Sequence, residues 1–364
     1  MSRRLKLVIG LVMLQAVALI AVLGITYWAS QDLLLRFSES YAARISRDAT
    51  AYTEGFLEPA NETAEITRRM LETGLLAPDD RSELQRYFLE LLNVHQDFDG
   101  VYLGEKDGDF LYASRSGADN PGAYGVKTVF AEPVREVRYD WYSDALDQIH
   151  TEMDNTDTYD PRQRPWYTAA IEKNAAAWTS PYVFFTSQTP GITVAVPIKT
   201  DPIKPAIGAV GVDIKIAELS AFLGSLDISQ NGRAAIVAEN GDIIAHSAPD
   251  LMEGAAFKTV TDGSDPILAK AAAQIEGGLD TLFPGEIRLA RFEIAGKVWI
   301  GSVLRLELER TPWTVVTYLP ESDILEPLFR VRNTALMVSI LALLATALLG
   351  FLYGRTVMAK PRET

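Results

Sequence analysis

Nine consecutive residues, Tyr159-Asp160-Pro161-Arg162-Gln163-Arg164-Pro165-Trp166-Tyr167, set two guanidinium groups among three aromatic rings, and Trp178, Tyr182 and Asp213 follow. An arginine presents a planar fork that meets a carboxylate with two parallel hydrogen bonds, so it fixes orientation as well as charge. A single carboxylate opposite it would counter an ammonium. Together the two reject molecules that carry only one charge. Tyrosines add an apolar wall and a hydroxyl at low entropic cost. These are the groups needed to hold a small zwitterion.

Each residue also has a structural reading. Arg162 suits a surface or intramolecular salt bridge, and Pro161 and Pro165 set backbone shape. Trp166, Tyr167 and Tyr182 could be core aromatics with satisfied polar atoms, and Trp178 is expected to be one. Arg164 and Asp213 could pair with each other. Six residues in the right order favour the joint reading as a ligand site: Tyr159, Arg164, Trp166, Tyr167, Tyr182 and Asp213.

Other chemistry finds little footing. The chain has no cysteine, and its three histidines at 95, 150 and 246 show no metal spacing, so no metal or other cofactor is called for. Asp154-Asn155-Thr156-Asp157 lacks the glycine and terminal glutamate of a calcium loop and reads as a solvated loop. No nucleophile elbow, phosphate loop or metalloprotease helix is present, and no enzymatic activity is expected. A net charge of −14 argues against nucleic acid and anionic lipid surfaces as partners.

The elements that must position these residues lie between two apolar runs, 7–28 and 335–353, neither of which carries a charge. Each is long enough to cross a hydrocarbon core of about 30 Å. Arg3, Arg4 and Lys6 precede the first, and Arg355, Lys360 and Arg362 follow the second. The positive-inside rule then places both termini (1–6 and 354–364) in the cytoplasm and residues 29–332 outside, against the contrary signal of Arg330 and Arg332. The first run exceeds a signal-peptide core of roughly 7–15 residues and reads as an uncleaved anchor.

Between the spans, Leu33, Leu34, Phe37, Tyr41, Ile45, Ala49, Tyr52 and Phe56 recur at helical spacing. They predict a long helical stalk over 29–79, broken or kinked at Pro59. A helix near 81–93 precedes a hairpin of 100–103 and 110–113 around Lys106-Asp107-Gly108. A short helix over 164–172 follows the aromatic motif, then three strands near 181–185, 191–198 and 206–214. Past a helix at 216–226, a second hairpin turns at Asn240-Gly241, with further strands near 287–294, 297–304 and 313–318. The fold class is therefore α+β with antiparallel sheets: a larger module at 80–227, a smaller one at 228–320, and a connecting helix at 321–334.

This layout resembles the double Cache (dCACHE) sensor domain of bacterial transmembrane receptors, over nearly all of 30–330. The likeness is most specific across 159–213, where the aromatic–arginine motif, Trp178-Thr179-Ser180-Pro181-Tyr182 and Gly211-Val212-Asp213-Ile214 follow in family order. The motif of the amino-acid-binding subgroup is matched at Tyr159, Arg164, Trp166, Tyr167, Tyr182 and Asp213. The resemblance implies two PAS-like modules, with the ligand in the membrane-distal one. Arg164 and Trp166 would hold an α-carboxylate, and Asp213 with tyrosine hydroxyls an α-ammonium. It also implies a homodimer in the bacterial inner membrane with a periplasmic sensor domain, acting on a cytoplasmic output module that is separate or outside these 364 residues. The same fold could instead take an amine, a carboxylate or a purine, or serve as a membrane-anchored interaction protein without ligand.

Overall fold

The computed structural model describes residues 3–116, 121–154, 156–201, 203–252, 257–273, 282–308, 311 and 313–358. Its first element is one continuous helix, α1 (Arg3–Thr73), of 71 residues, so roughly 105 Å long at 1.5 Å per residue. Pro59 lies inside it, where a break or kink is the sequence expectation. Proline removes one backbone donor and crowds the preceding turn. Here Ala42, Ala49 and Leu57 before it and Ala60, Ala64 and Leu71 after it are buried in one core, and that packing keeps the helix continuous. The small residues of this stripe let the helix lie close against what it covers. Gly74, at φ +75°, ends the helix, and the amides of Leu75 and Leu76 return to the Met70 carbonyl.

Helix α2 (Arg81–Val94) is capped by Asp80, whose side chain accepts from the Glu83 amide at 3.0 Å. The first sheet follows: β1 (Gly100–Glu105), β2 (Phe110–Arg115), β3 (Tyr124–Phe130), β4 (Glu136–Tyr142), β5 (Gln148–Met153), α3 (Pro165–Lys173), β6 (Ala177–Trp178), β7 (Tyr182–Val183), β8 (Pro190–Ile198) and β9 (Gly208–Lys215). Among the described residues its order is β5-β4-β3-β2-β1-β9-β8-β6, with β7 also on β8, and every pairing is antiparallel. The predicted hairpin is β1–β2. Strands β3 to β5 extend the sheet beyond the sequence expectation, and the strand expected at 181–185 shrinks to Tyr182–Val183. Strand β5 is exposed at all six positions, so no apolar alternation marks it.

Alternation along the central strands splits this sheet into two buried faces. Val101, Leu103, Val194, Val196, Val210 and Val212 join the core shared with α1. Tyr102, Ala195, Ala209, Phe110 and Tyr112 belong to a second cluster with Tyr159, Trp166 and Tyr167. The functional motif thus sits on the face away from the long helix.

Helix α4 (Ile216–Ser225) leads to the second sheet, formed by β10 (Arg233–Ala238), β11 (Ile243–His246), β12 (Ile287–Ile294), β13 (Lys297–Arg305) and β14 (Trp313–Pro320), in the order β11-β10-β14-β13-β12. Helix α5 (Pro266–Ala273), which the sequence reading lacked, covers one face. Trp313, Val315 and Leu319 on the other face join the α1 core. Trp178 is a core aromatic, as expected, and its ring meets Trp313 at 5.2 Å, joining the two sheets.

The chain ends in α6 (Glu321–Met358). The expected spans 7–28 and 335–353 fall within α1 and α6, where many side chains lie outside the described residues. Among the described residues no helix is long and apolar enough to cross a membrane. The described side chains there include Met13, Leu14, Val17 and Ile20 on α1 and Leu341, Leu344 and Leu348 on α6, all exposed.

A buried polar knot pins α5 to the second sheet. Asp265 accepts from the Tyr318 hydroxyl at 2.5 Å and from the amides of Ile267 and Leu268, and Tyr318 also meets His246 Nε2 at 2.7 Å. Burial alone would raise the Asp265 carboxyl, but these bonds outweigh it and hold it far below the usual range. Its stabilising contribution is therefore present above the unfolded-state pKa and is lost on acidification. Asp265→Ala removes the acceptor of the Tyr318 hydroxyl and of the Ile267 and Leu268 amides, leaving the Tyr318–His246 bond, and should cost about 1–3 kcal/mol. Denaturant unfolding near neutral pH measures that loss.

Candidate functional site

The cavity on the site face of the first sheet is lined by Tyr102, Phe110, Tyr112, Tyr159, Arg164, Trp166, Tyr182, Phe184, Phe185, Thr186 and Asp213. The free space inside it is about 20 Å³, room for about one water. Three parts of the chain build it: the floor from β1, β2 and β9, one wall from the 159–166 motif, and the other from 182–186.

On the floor, strand register does the positioning. Asp213 pairs with Gly100 and Thr193, and Tyr102 pairs with Gly211. A β-carbon on Gly211 would stand 2.1 Å from the Tyr102 ring, so the glycine is what lets that ring lie flat toward Asp213. The Tyr102 hydroxyl donates to Asp213 Oδ1 at 2.5 Å, and Thr193 Oγ1 donates to the same oxygen at 2.5 Å. Tyr182 meets Thr193 Oγ1 at 2.6 Å, completing a chain of hydroxyls. Oδ2 of Asp213 receives no bond from the described residues.

Asp213 is 4% exposed. Burial pushes its carboxyl up to about 8, the Thr193 and Tyr102 bonds pull it back, Asp99 raises it and Arg164 lowers it. Burial also drives Tyr102 and Tyr182 well above the usual tyrosine range, so both remain neutral hydroxyls.

Arg164 stands at the N-terminus of α3, after the 3₁₀ turn Pro161–Gln163. Its guanidinium is half-buried, donates from Nη2 to the Val183 carbonyl at 3.0 Å, and lies 5.7 Å from the Tyr182 ring centre and 5.8 Å from that of Phe185. No carboxylate of the described residues comes within 4.0 Å of it. The direct Arg164–Asp213 pair, one of the structural alternatives, is therefore not formed. Arg162 instead pairs with Asp160 at 2.9 Å and is exposed, as its surface reading anticipates.

Five of the six expected residues line this cavity, and Tyr167 does not. Trp166 is 1% exposed and points Nε1 at the Tyr159 hydroxyl, 3.3 Å away. Tyr167 packs edge-on against Trp166, with ring centres 5.4 Å apart, and props it from behind. Sequence reasoning missed Tyr102, Tyr112, Phe110, Thr193 and the run Phe184-Phe185-Thr186. The glycines facing the rings, Gly211 for Tyr102 and Gly100 for Tyr112, are the sequence signal that could have found two of them.

The solvated-loop reading of 154–157 fails at Asp157, which is 4% exposed and paired with the buried Lys127, Nζ to Oδ2 at 2.5 Å. Burial would raise the Asp157 carboxyl, but bonds from Lys127, the Tyr159 amide and Tyr139 hold it below the usual range. Asp154 at the start of the same run is half-buried, its carboxyl lowered by Thr156.

Residues 29–328 match the family model of the Cache domain. The chain is a Cache-domain protein. Among curated proteins it is similar to the methyl-accepting chemotaxis protein McpA of Pseudomonas putida, 28% identical over 197 residues, or 53% of this chain and 28% of that one. It is also similar to PctB of Pseudomonas aeruginosa, 24% identical over 192 residues, or 52% of this chain and 27% of that one. The matched stretches thus span little more than a quarter of these relatives. Among solved structures, the ligand-binding domain of the Pseudomonas fluorescens chemoreceptor CtaA in complex with L-isoleucine has a TM-score of 0.52 at 18% identity, covering 80% of this chain and 95% of that one. The ligand-binding domain of PctB in complex with L-Arg has a TM-score of 0.50 at 19% identity, covering 78% and 94%. These likenesses show the fold of a Cache sensor domain.

The empty Cache pocket has a defined pH signature. Because the folded-state pKa of Asp213 lies above its unfolded value, the folded state keeps a proton that the unfolded chain has released. Stability should therefore be greatest below about pH 4 for this group and decline as pH rises to about 8. Asp213→Asn should flatten that decline in thermal melts taken across the same window.

Proposed function

We propose that this Cache protein is the sensor part of a bacterial transmembrane chemoreceptor and that its pocket binds a free amino acid by both α-groups. One observation carries the reading: Arg164 and Asp213 line one cavity, and neither has an ion-pair partner among the described residues. A lone carboxylate would leave Asp213 unmatched and a lone amine would leave Arg164 unmatched. A zwitterion satisfies both.

In this reading the ligand carboxylate meets the Arg164 fork, with Trp166 Nε1 as a further donor. The ammonium meets Asp213 Oδ2, with the Tyr102 and Tyr182 hydroxyls beside it. Tyr159 forms the wall between them, and Tyr167 acts through Trp166 by holding its ring in place. The CtaA and PctB domains, solved with L-isoleucine and L-Arg, support the ligand class.

The wider architecture follows as part of the same proposal. Residues 7–28 and 335–353 span the inner membrane, both termini are cytoplasmic, and 29–332 is periplasmic. The ligand binds in a distal module at 80–227, above a proximal module at 228–320. In a homodimer, closure around the ligand shifts the 321–334 segment and the second span relative to the partner copy. The ligand moves that balance only by its difference in affinity for the two states, commonly about 1–3 kcal/mol.

A thermal-shift screen of the purified full chain against amino acids, amines and small carboxylates tests the ligand class. A ligand at about 100 times its Kd adds about 2.7 kcal/mol. Arg164→Ala and Asp213→Ala should each remove about 2–5 kcal/mol of binding. A hit that survives both substitutions would refute the zwitterion site. Binding should also tighten between pH 6 and about 8 with release of a proton, since the ammonium needs Asp213 ionised. Calorimetry in buffers of different ionisation enthalpy reads that proton directly.

A further inference from the structure

Beside the cavity, on the same face of the sheet, stands a buried ion pair that the zwitterion's α-groups do not use. The register aligns Tyr139, Lys127, Tyr112, Tyr102 and Gly211 in one row across β4, β3, β2, β1 and β9, and directly opposed residues share a face. Tyr112 and Tyr102 are cavity wall, and Lys127 is one strand further along. Its ammonium lies 4.6 Å from the ring centre of Tyr159 and 5.0 Å from that of Phe185, both wall residues. Asp157 accepts from Lys127, from the Tyr139 hydroxyl at 2.9 Å and from the Tyr159 amide at 2.7 Å, while Arg135 Nη2 stands 3.9 Å from Oδ1.

We infer that Lys127 and Asp157 set the side-chain preference of the pocket, closing its β3–β4 flank with a compensated pair so that it takes amino acids with short, uncharged side chains. The inference rests on the zwitterion reading. With Arg164 and Asp213 engaged by the α-groups, a charged side chain would enter an aromatic cavity with no free counter-charge. Burying a charge unpaired is strongly unfavourable. The small free space limits length. Unbalancing the pair would reverse the preference: without Lys127, Asp157 keeps only the exposed Arg135 at 3.9 Å and would draw a cationic side chain, while Lys127 without Asp157 would draw an anionic one.

Isothermal titration of the full chain in lipid nanodiscs with each proteinogenic L-amino acid tests this. Lysine, arginine, aspartate and glutamate should bind at least about tenfold more weakly than the best of alanine, serine and valine. Lys127→Met should strengthen arginine or lysine binding by about tenfold, and Asp157→Asn should do the same for glutamate or aspartate. The double variant K127M/D157N removes both members of the pair, leaves Arg135 on the Tyr159 carbonyl, and should keep the wild-type ranking. Should a single variant fail to show a cooperative melt, the wild-type ranking and the double variant decide. A charged amino acid bound by the wild type as tightly as valine would overturn the inference while leaving the zwitterion site standing. A folded wild type that binds no amino acid would remove the zwitterion reading, and the inference with it.

Discussion

A carboxyl group with no cation beside it, sunk under a sheet of tyrosines, is the constraint around which the first sheet is arranged. An isolated buried carboxylate is too costly to keep, so the group either takes a proton or finds a partner. Burial puts Asp213 on the first course. Two hydroxyls converge on one of its oxygens, which fixes the side chain, and the second oxygen receives no bond from the described residues. The glycine under Tyr102, the Thr193 bridge and the seating of Tyr182 all serve that arrangement. The protein tolerates the cost because the rest of the sheet is packed on both faces, with α1 behind it and the aromatic cluster in front.

Two kinds of buried charge occur within one cluster and behave in opposite ways. Lys127 and Asp157 compensate each other and are satisfied by tyrosine and backbone partners. Arg164 and Asp213 stand apart. A pair that is already matched adds shape and rejects other charges. A pair held apart stores an unmet demand, which is what a binding site requires.

Much of the fold was legible because it follows from period. The helical stripe of α1, both turn-glycine hairpins and the apolar runs of β8, β9, β13 and β14 appear in the sequence as they do in the structure. Strands β3 to β5 were not legible. The polar Lys127 and Thr128 interrupt β3 although both are buried, β5 is solvent-facing throughout, and an edge strand of that kind carries no apolar pattern. Pro59 does not break the helix: local propensity cannot register the tertiary packing that carries the helix through it. At the site, the 159–182 residues and Asp213 were found through their order along the chain, and the strand neighbours of Asp213 were not. Tyr102 and Thr193 come to Asp213 through register, which a single sequence does not print. Asp157 looked like solvent because its neighbours Asp154 and Thr156 are polar, while its partner Lys127 lies thirty residues away on β3.

Four of the lining residues, Tyr182, Phe184, Phe185 and Thr186, come from one short connection between β6 and β8, held by the two-residue pairing of β7 with β8, the Tyr182–Thr193 bond, Val183 to Arg164, and the turn that joins Phe184 to Thr189 and Gln188. The floor that holds Asp213 is woven into the sheet and cannot change without disturbing the fold. The connection can. The cavity is therefore bounded on one side by backbone that the whole sheet holds and on the other by a connection of a few residues, and substitutions on the two sides are tolerated to very different degrees.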